Sequence, residues 1–447
     1  MSFRAGIAKV NINPPMGIGI RGYFKTRYAE GILDDLEAIA LALEVGGEKS
    51  ILICLDNCGI EQILCGDYRK AISDATSVPM ENILISQTHT HTGPFVKKIT
   101  DDELIKTYTE FVGKRLVDVA MFALADLCDA KMGFGKGTAP NVAFIRRYIM
   151  KDGSVATNPG VNNPDIVRPL GETDESVSVI RFDREGADTI VFVNFGNHPD
   201  TVGGCKISAD WPGLLRKNVE KILDGTKCIF FNGAQGDVNH VNVRPKDGDF
   251  NGMFVDFDDV SRGYAHTQYV ARVITGGVLQ VFDKVKYVDV DTLKCRQEVI
   301  HVPADKPDPE KLPEARRINE LHQAGRDNEL PYKGMMLTTI VAEAEKMLRL
   351  ENAPDAYKMT LSAVRIGPVA IIGIPGEPFT GIGVALKETD CYDMVVPCCA
   401  TNGYQGYFPM QDAYDEGGYE ARSSKFKAGV AELIIEEGKK LLESIKK

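Results

Sequence analysis

The chain has 447 residues, of which 52 are Lys or Arg and 63 are Asp or Glu, so its formal net charge at pH 7 is −11. Because the cationic residues are scattered rather than gathered into a stripe, the composition argues against nucleic acid and anionic membrane surfaces as partners. This length would allow two or three average domains, but mixed α/β enzymes of this size often form one unit. We predict a single domain over residues 1–447.

The N-terminal stretch MSFRAGIAKVNINPP has neither the apolar core nor the small-residue cleavage site of a secretory signal peptide. Ten cysteines, several of them inside apolar runs, suit buried reduced thiols better than a disulfide framework. No apolar stretch is long enough to span a bilayer. We therefore expect a cytoplasmic protein without stable membrane association. The sequence is compatible with a homo-oligomer.

The first motif along the chain is GIGIRG, from Gly17 to Gly22, which matches the pattern G-x-G-x-x-G. A dinucleotide-binding fingerprint needs a strand before these glycines and a helix after them. Here Pro14 and Pro15 precede the motif and YFKTRYAEG follows it. An ordinary glycine loop is therefore favoured over a nucleotide site.

Six apolar runs of strand length each lead into a Gly- or Asn-rich loop. Continuous apolar runs of this kind are typical of strands buried on both faces. Polar residues cluster at the ends of these runs, where α/β folds assemble their functional sites. The runs with their loops are SILICLDNCG, NILISQTHTHTG, TIVFVNFGNHPD, CIFFNGAQGDVN, VAIIGIPGEPF and DMVVPCCATNGYQGYF.

Helical periodicity marks three stretches, at 101–127, at about 264–282 and at 425–447. The segment at about 303–352, whose first part (303–335) is charged and flanked by prolines, is predicted to be an exposed helical excursion between two parts of one domain. Helices and strands are interleaved along the chain. The predicted fold class is α/β, with mixed β-sheets flanked by helices.

His89 and His91 follow the second apolar run, in ILISQTHTHTGP. Residues i and i+2 lie on one side of a strand but roughly 200° apart on a helix, so at a strand end both imidazoles can face one cavity. The alternative is a pair of hydrogen-bonded histidines at a turn. The H-x-H-x-D-H pattern of metallo-β-lactamase-type hydrolases is absent, because Gly93 and Pro94 stand in place of its Asp and His. A binuclear site of that kind is not expected.

His198 and Glu377 occupy equivalent positions at the ends of two further runs, in VFVNFGNHPD and AIIGIPGEPF. His198 alone could equally be a turn or core residue, and Glu377 could cap the helix predicted for TGIGVALKE. Two or three histidines and one carboxylate at strand ends form a plausible set of zinc ligands. Sequence spacing does not establish that they converge.

Taken in order, these motifs resemble the catalytic domain of the neutral (non-lysosomal, alkaline) ceramidases, a family of zinc-dependent amidases. The ordered set is more specific than any one motif, and it spans most of the chain. It consists of RAGIAKVNINPP, RGY, THTHTGP, NHPDTVGG, SADWPG, NGAQGDVN, IPGEPF and NGYQGYF. The resemblance implies a neutral-ceramidase-like catalytic domain.

The resemblance also implies a zinc site and residues around it. Zinc would polarise an amide carbonyl and lower the pKa of its water toward ~7, while His91 would transfer protons. Tyr419 and an arginine of NVAFIRRY would stabilise the oxyanion; Arg146 and Arg147 both match that arginine, and we favour Arg146. The implied zinc ligands are His89, His198, Glu377 and Tyr407. On spacing alone, Tyr407 would have been assigned to packing.

Three features depart from the family pattern. Nothing corresponding to its C-terminal immunoglobulin-like domain is expected, no signal peptide is predicted, and Gly233 stands where the family carries a serine implicated in activity. These departures weaken the case for ceramide more than that for amidase chemistry. We predict a zinc-dependent hydrolase that cleaves an amide bond in an N-acylated small molecule. The alternatives are a zinc hydrolase of esters or lactones and a non-catalytic binding protein on the same fold.

Overall fold

A computed structural model describes residues 2–23, 26–256 and 260–446 of the chain. Two large sheets form its centre. Their strands are β1 (Phe3–Asn11), β2 (Glu37–Val45), β3 (Glu48–Leu55), β4 (Ile83–Gln87), β5 (Cys128–Thr138), β6 (Ser176–Arg184), β7 (Thr189–Phe195), β8 (Thr226–Asn232), β9 (Lys286–Val288), β10 (Leu293–Pro303), β11 (Ala356–Ile366), β12 (Val369–Gly373) and β13 (Met394–Cys398).

The helices are α1 (Gln62–Thr76), α2 (Glu103–Ala125), α3 (Asp210–Ile222), α4 (Tyr264–Leu279), α5 (Leu312–Gln323), α6 (Gly334–Leu350), α7 (Thr380–Lys387), α8 (Gln411–Glu416), α9 (Tyr419–Ser423) and α10 (Val430–Lys446). Short 3₁₀ turns lie at Met80–Asn82, Phe282–Lys284, Pro309–Lys311 and Asp327–Glu329. Among the described residues, no helix combines the length and the apolarity that a membrane crossing would require.

The larger sheet has nine strands in the order β8-β7-β6-β5-β1-β2-β3-β4, with β9 paired to β5 beside this path. The second sheet has the order β10-β11-β12-β13. The apolar faces of the two sheets pack on each other. Helices α1, α2, α3 and α4 cover the outer face of the larger sheet, and α7 and α10 cover that of the smaller one. The prediction of mixed sheets flanked by helices is confirmed.

Three pairs of neighbouring strands run parallel: β3 with β4, β7 with β8, and β12 with β13. A helix connects the members of each pair, namely α1, α3 and α7. These six strands are the six apolar runs of the sequence. Parallel strands are covered on both faces, which is why they read as continuous apolar runs. Their carboxyl ends carry the candidate site residues.

The predicted helices occur with small shifts at their ends. Asp102 caps α2 by accepting hydrogen bonds from the Leu104 and Ile105 amides at 2.9 and 3.2 Å, as expected at a helix start. The helix predicted at 264–282 ends at Leu279, and the one predicted at 425–447 begins at Val430. Lys447 lies outside the described residues.

The excursion predicted at about 303–352 consists of α5 and α6, which pack on each other around a small apolar cluster of their own. It links two adjacent antiparallel strands, β10 and β11. The GIGIRG stretch is not followed by a helix, because Gly19–Ile20 pairs with Arg27–Tyr28 as a short antiparallel ribbon. The glycine-loop interpretation therefore agrees with the structure. Phe24 and Lys25, which fall between these two strands in the sequence, lie outside the described residues.

Candidate metal centre

The centre lies where the parallel strand pairs of both sheets end. His89 and His91 follow β4, His198 follows β7, and Glu377 follows β12. Glu377 begins a two-residue strand, Glu377–Pro378, which pairs in parallel with Tyr407–Phe408. The sheets are the rigid support, and the exposed ends of their strands bring together residues that are distant in sequence.

Three side chains converge with very little exposure to solvent. His198 Nε2 lies 2.9 Å and His89 Nε2 lies 3.4 Å from the same atom, Glu377 Oε2. His91 Nε2 lies 3.2 Å from His89 Nε2. The exposed fractions of His89, His198 and Glu377 are 1%, 0% and 0%. Enclosure of this kind strengthens every charge interaction within the cluster.

Backbone carbonyls fix the orientation of both buried imidazoles. His89 Nδ1 faces the Cys58 carbonyl oxygen, and His198 Nδ1 lies 2.8 and 3.0 Å from the carbonyl oxygens of Gln235 and Val238. A carbonyl only accepts, so each Nδ1 carries the proton. In the neutral form of each ring, Nε2 then has a lone pair aimed at the Glu377 carboxylate.

Lone pairs of two imidazoles and a carboxylate oxygen repel one another at these distances unless a proton or a metal ion lies between them. Glu377 Oε2 is buried without a hydrogen-bond partner among the described residues. Neutral imidazole nitrogens and a carboxylate oxygen are ligands that zinc and related divalent metals prefer. The donor set His89, His198 and Glu377 can therefore hold a metal ion.

The electrostatics of the cluster also favour positive charge. Burial acts to lower the pKa of His89, but Glu377 and Cys58 together outweigh it and hold that pKa well above the usual value. Burial acts to raise the pKa of Glu377, yet the two histidines hold it well below its usual range. Burial and the Arg146 guanidinium lower the pKa of His198. Glu377 is thus charged, and a cation at its Oε2 is stabilised.

A second trio, Cys58, His89 and His91, also brings ligand atoms close together. It is the weaker candidate because it needs His89 Nδ1, which already faces the Cys58 carbonyl. Cys58 Sγ lies 4.0 Å from that nitrogen. The trio centred on Glu377 uses the Nε2 atoms and leaves the contacts of His89 and His198 Nδ1 with backbone carbonyls intact.

His89 and His91 converge for a reason that differs from the sequence-based one. The expected geometry was an extended strand end, whereas β4 ends at Gln87 and His89 has a φ of +72°. This left-handed conformation is uncommon for a residue with a side chain and is a feature of functional sites. The turn, rather than strand alternation, brings both rings to the same side.

Three tyrosines border the centre. The ring of Tyr404 stacks on His89 with 5.6 Å between centroids, and its hydroxyl donates to Glu377 Oε1. The ring of Tyr407 stacks on His198 at 6.4 Å. Tyr419 packs edge-on against Tyr407 at 5.6 Å. Burial, followed by the charge of Glu377, raises the pKa of Tyr404 and of Tyr407 well above the usual value. The ligand role of Tyr407 stays a prediction.

The structure distinguishes the two arginines left open by the sequence. Arg146 Nη1 lies 3.4 Å from His198 Nε2, and its Nε donates to Glu420 Oε1 at 2.5 Å. Arg147 points away from the centre, donating to Glu416 and to the Gly417 carbonyl, both at 3.0 Å. Arg146 therefore lies beside the candidate ligands, and its role as the active-site arginine stays a prediction.

His91 is the least constrained histidine of the group. Its Nδ1 is buried without a hydrogen-bond partner among the described residues and lies 3.6 Å from Asp200 Oδ1, beyond hydrogen-bonding distance. Burial lowers the pKa of His91 well below its usual value. Asp200 is held by Arg262, with Nε to Oδ1 at 2.8 Å and Nη2 to Oδ2 at 3.0 Å. Burial therefore favours the neutral form of the His91 imidazole beside the centre.

The NGAQGDVN loop after β8 supports the ligands and does not offer a nucleophile. Asn232 Nδ2 donates to the carbonyls of Thr88 and Asn197 at 3.1 and 2.9 Å, which ties together the loops of both histidines. A side chain on Gly233 would lie 3.0 Å from the Gly196 amide nitrogen. The position matched to the family's serine is therefore crowded by backbone.

The capping alternative for Glu377 does not hold. Asp237 Oδ1 accepts from the Thr380 amide at 2.7 Å and from its hydroxyl at 2.8 Å at the start of α7. Sequence reasoning missed Tyr404, Asp200 and Glu420 as neighbours of the centre. Asp200 and Tyr404 follow apolar runs, which is a signal, but nothing in their spacing selects them over adjacent polar residues.

The fold and the donor set define an α/β protein with a buried centre able to hold a divalent metal. The particular fold is that of solved ceramidases. The neutral ceramidase from Pseudomonas aeruginosa superimposes with a TM-score of 0.75 at 17% sequence identity, and the match covers 100% of this chain and 75% of that chain. A ceramidase complexed with C2 gives a TM-score of 0.72 at 17% identity, with the same coverage. No family model and no curated protein matches the sequence. The predicted neutral-ceramidase-like fold is confirmed, and at this identity the likeness establishes the fold alone.

Proposed function

We propose that this protein is a zinc-dependent hydrolase that cleaves an amide bond in an N-acylated small molecule. The observation that carries the proposal is the convergence of His89 Nε2, His198 Nε2 and Glu377 Oε2, with His91 Nε2 at 3.2 Å from His89 Nε2. Two imidazoles and one carboxylate form the protein part of several catalytic zinc sites, which keep a further position open. The activity named for the two structural neighbours, ceramidase, supports an amide as the scissile bond.

A zinc ion bound there would polarise the amide carbonyl and supply an activated water. In the overall reaction, water adds to the carbonyl carbon, the C–N bond breaks, and the departing nitrogen takes up a proton. His91 accepts at its Nε2 the proton that water releases, and it returns this proton to the leaving nitrogen. Burial keeps this imidazole neutral before the reaction, as a proton acceptor must be.

The remaining residues act on the carbonyl oxygen as it gains negative charge. The Arg146 guanidinium lies beside His198 and is hydrogen-bonded to the Tyr407 side chain, which in turn is hydrogen-bonded to Tyr419. Glu420 holds Arg146 in place. Preorganised donors in an enclosed site stabilise such charge far more than they would in water. We assign this role to Arg146 and Tyr419, and we assign Tyr407 as a fourth zinc ligand.

The first experiment is elemental analysis of the purified protein, followed by turnover of N-acyl amides, esters and lactones. We expect zinc, amide hydrolysis, loss of activity with a chelator and recovery with added zinc. A serine-directed fluorophosphonate should have no effect, because no serine nucleophile is assigned. Ester or lactone turnover alone would favour another linkage, and zinc binding without turnover would favour a binding protein. A cytoplasmic location stays a prediction from the sequence.

A further inference from the structure

The loop that carries Arg21 packs directly on the candidate metal centre. Gly22 has a φ of +130°, and a Cβ at this position would lie only 2.8 Å from His91 Cα. Gly59 is pressed against Tyr404 in the same way, with 2.8 Å between an added Cβ and Tyr404 Cγ. The Gly59 carbonyl accepts a hydrogen bond from Arg21 Nη1 at 2.5 Å. Arg21 is therefore fixed at the edge of the centre by backbone that could not accommodate larger side chains.

One aromatic ring separates the Arg21 guanidinium from the candidate ligands. Arg21 Cζ lies 5.1 Å from the centroid of the Tyr404 ring. That ring stacks on His89, and its hydroxyl donates to Glu377. A cation at this distance from an aromatic face is attracted by it, so the guanidinium has a defined position relative to the centre.

Arg21 differs from Arg146, Arg147 and Arg262 in having no counter-ion among the described residues, and from Arg27 in having an Nη2 that no backbone carbonyl occupies. Arg146, Arg147 and Arg262 pair with Glu420, Glu416 and Asp200. In the part of the chain that the structure describes, no carboxylate lies within ion-pair distance of Arg21, and only its Nη1 has a hydrogen-bond partner. The side chain is half-buried. Its Nε and Nη2 edge is left for a ligand.

We propose that Arg21 binds a carboxylate of the substrate. The substrate is then an N-acylated compound with a carboxylate a few bonds from the scissile amide, such as an N-acyl amino acid. The planar guanidinium matches a carboxylate through two parallel hydrogen bonds, and one unpaired positive charge balances one negative charge. This inference names the substrate class of the proposed hydrolase and rests on that proposal.

The test compares an acid with its neutral counterpart. N-octanoylglycine and N-octanoylglycinamide share the acyl chain and the scissile amide and differ in the terminal charge. Turnover of both is measured with the zinc-loaded full chain, with Arg21→Gln and with Arg272→Gln, which alters an exposed arginine on α4. Binding is measured separately by calorimetry, using 4-oxoundecanoic acid and its primary amide. In these analogues a methylene replaces the scissile nitrogen, so they cannot be hydrolysed.

We expect kcat/KM and affinity to favour the acid by about 10- to 100-fold in the wild-type chain and in Arg272→Gln, because a charge-assisted pair is lost with the amide. Arg21→Gln should reduce this preference to nearly one. Arg21→Lys should retain part of it, because it keeps the charge without the planar fork. Circular dichroism establishes whether each variant is folded. If Arg21→Gln is not folded, the inference is tested by the preference of the wild-type chain for the acid and by its partial loss in Arg21→Lys.

The inference would be overturned if the wild-type chain had equal kcat/KM and equal affinity for the acid and the amide. It would also be overturned if Arg21→Gln kept the preference for the acid. Hydrolysis of both compounds without preference would do so while leaving the proposed hydrolase intact. Preferential binding of the acid analogue through Arg21, without hydrolysis of any amide, would support the carboxylate site and refute the hydrolase.

Discussion

Replacing Glu377 by Gln removes a buried negative charge and a candidate metal ligand with almost no change in side-chain size. A second buried carboxylate nearby, Glu420, provides a matched control, because both residues are 0% exposed. Glu377 Oε2 faces His198 Nε2 at 2.9 Å and His89 Nε2 at 3.4 Å, whereas Glu420 pairs with Arg146. The same substitution at equal burial thus separates loss of a ligand from loss of a buried charge.

The expected magnitude follows from the contacts. An interaction with a charged group contributes about 1.5–3 kcal/mol, and about 1.4 kcal/mol corresponds to a tenfold change in affinity. Glu377→Gln should therefore weaken zinc binding by at least about 10- to 100-fold. Glu420→Gln should leave zinc affinity within a few-fold of wild type and reduce turnover, because Arg146 loses the carboxylate that holds it.

Zinc affinity is measured by competition with a chromophoric chelator, and amide turnover is measured on the same samples. Thermal unfolding of both variants establishes that each is folded. Zinc binding by Glu377→Gln as tight as in wild type would refute the ligand assignment. An equal loss of zinc affinity in Glu420→Gln would mean that zinc binding depends on buried negative charge in this region in general, and not on Glu377 as a ligand.

Three further predictions concern neighbours of the centre and a separate histidine. His91→Ala should keep zinc and lose about 10²- to 10⁴-fold in rate; unchanged turnover would assign proton transfer elsewhere. Tyr404→Phe keeps the ring on His89 but removes the donor to Glu377 Oε1, so zinc affinity should fall about 10- to 100-fold, as measured by chelator competition. His266 is buried with neither ring nitrogen hydrogen-bonded to the described residues, and burial lowers its pKa from 6.5 to about 4. The unfolded chain therefore binds more protons, and stability present above pH 6.5 is lost as the pH falls toward 4. His266→Phe should remove up to about 3 kcal/mol of this loss in denaturant titrations across that range; an unchanged pH dependence would contradict it.

Sequence pattern was sufficient to identify the strands that form the parallel pairs. All six apolar runs became those strands, because burial on both faces leaves a continuous apolar signal that needs no tertiary information. It also determined that His89, His198 and Glu377 stand at strand ends, where a site can form. The ordered motifs pointed to the fold that solved ceramidases share.

Which of those strand ends meet, and in what geometry, depends on how the chain folds as a whole. His89 adopts a left-handed conformation, and backbone carbonyls from segments distant in sequence orient both imidazoles. The local sequence pattern therefore does not predict these features. The position of Arg146 beside His198 depends on Glu420, a hydrogen-bond partner 274 residues away in sequence. Tyr404 and Arg21 could not be singled out from the sequence for the same reason. Whether a polar side chain has a partner is a property of the folded chain, because that partner comes from another strand end or loop.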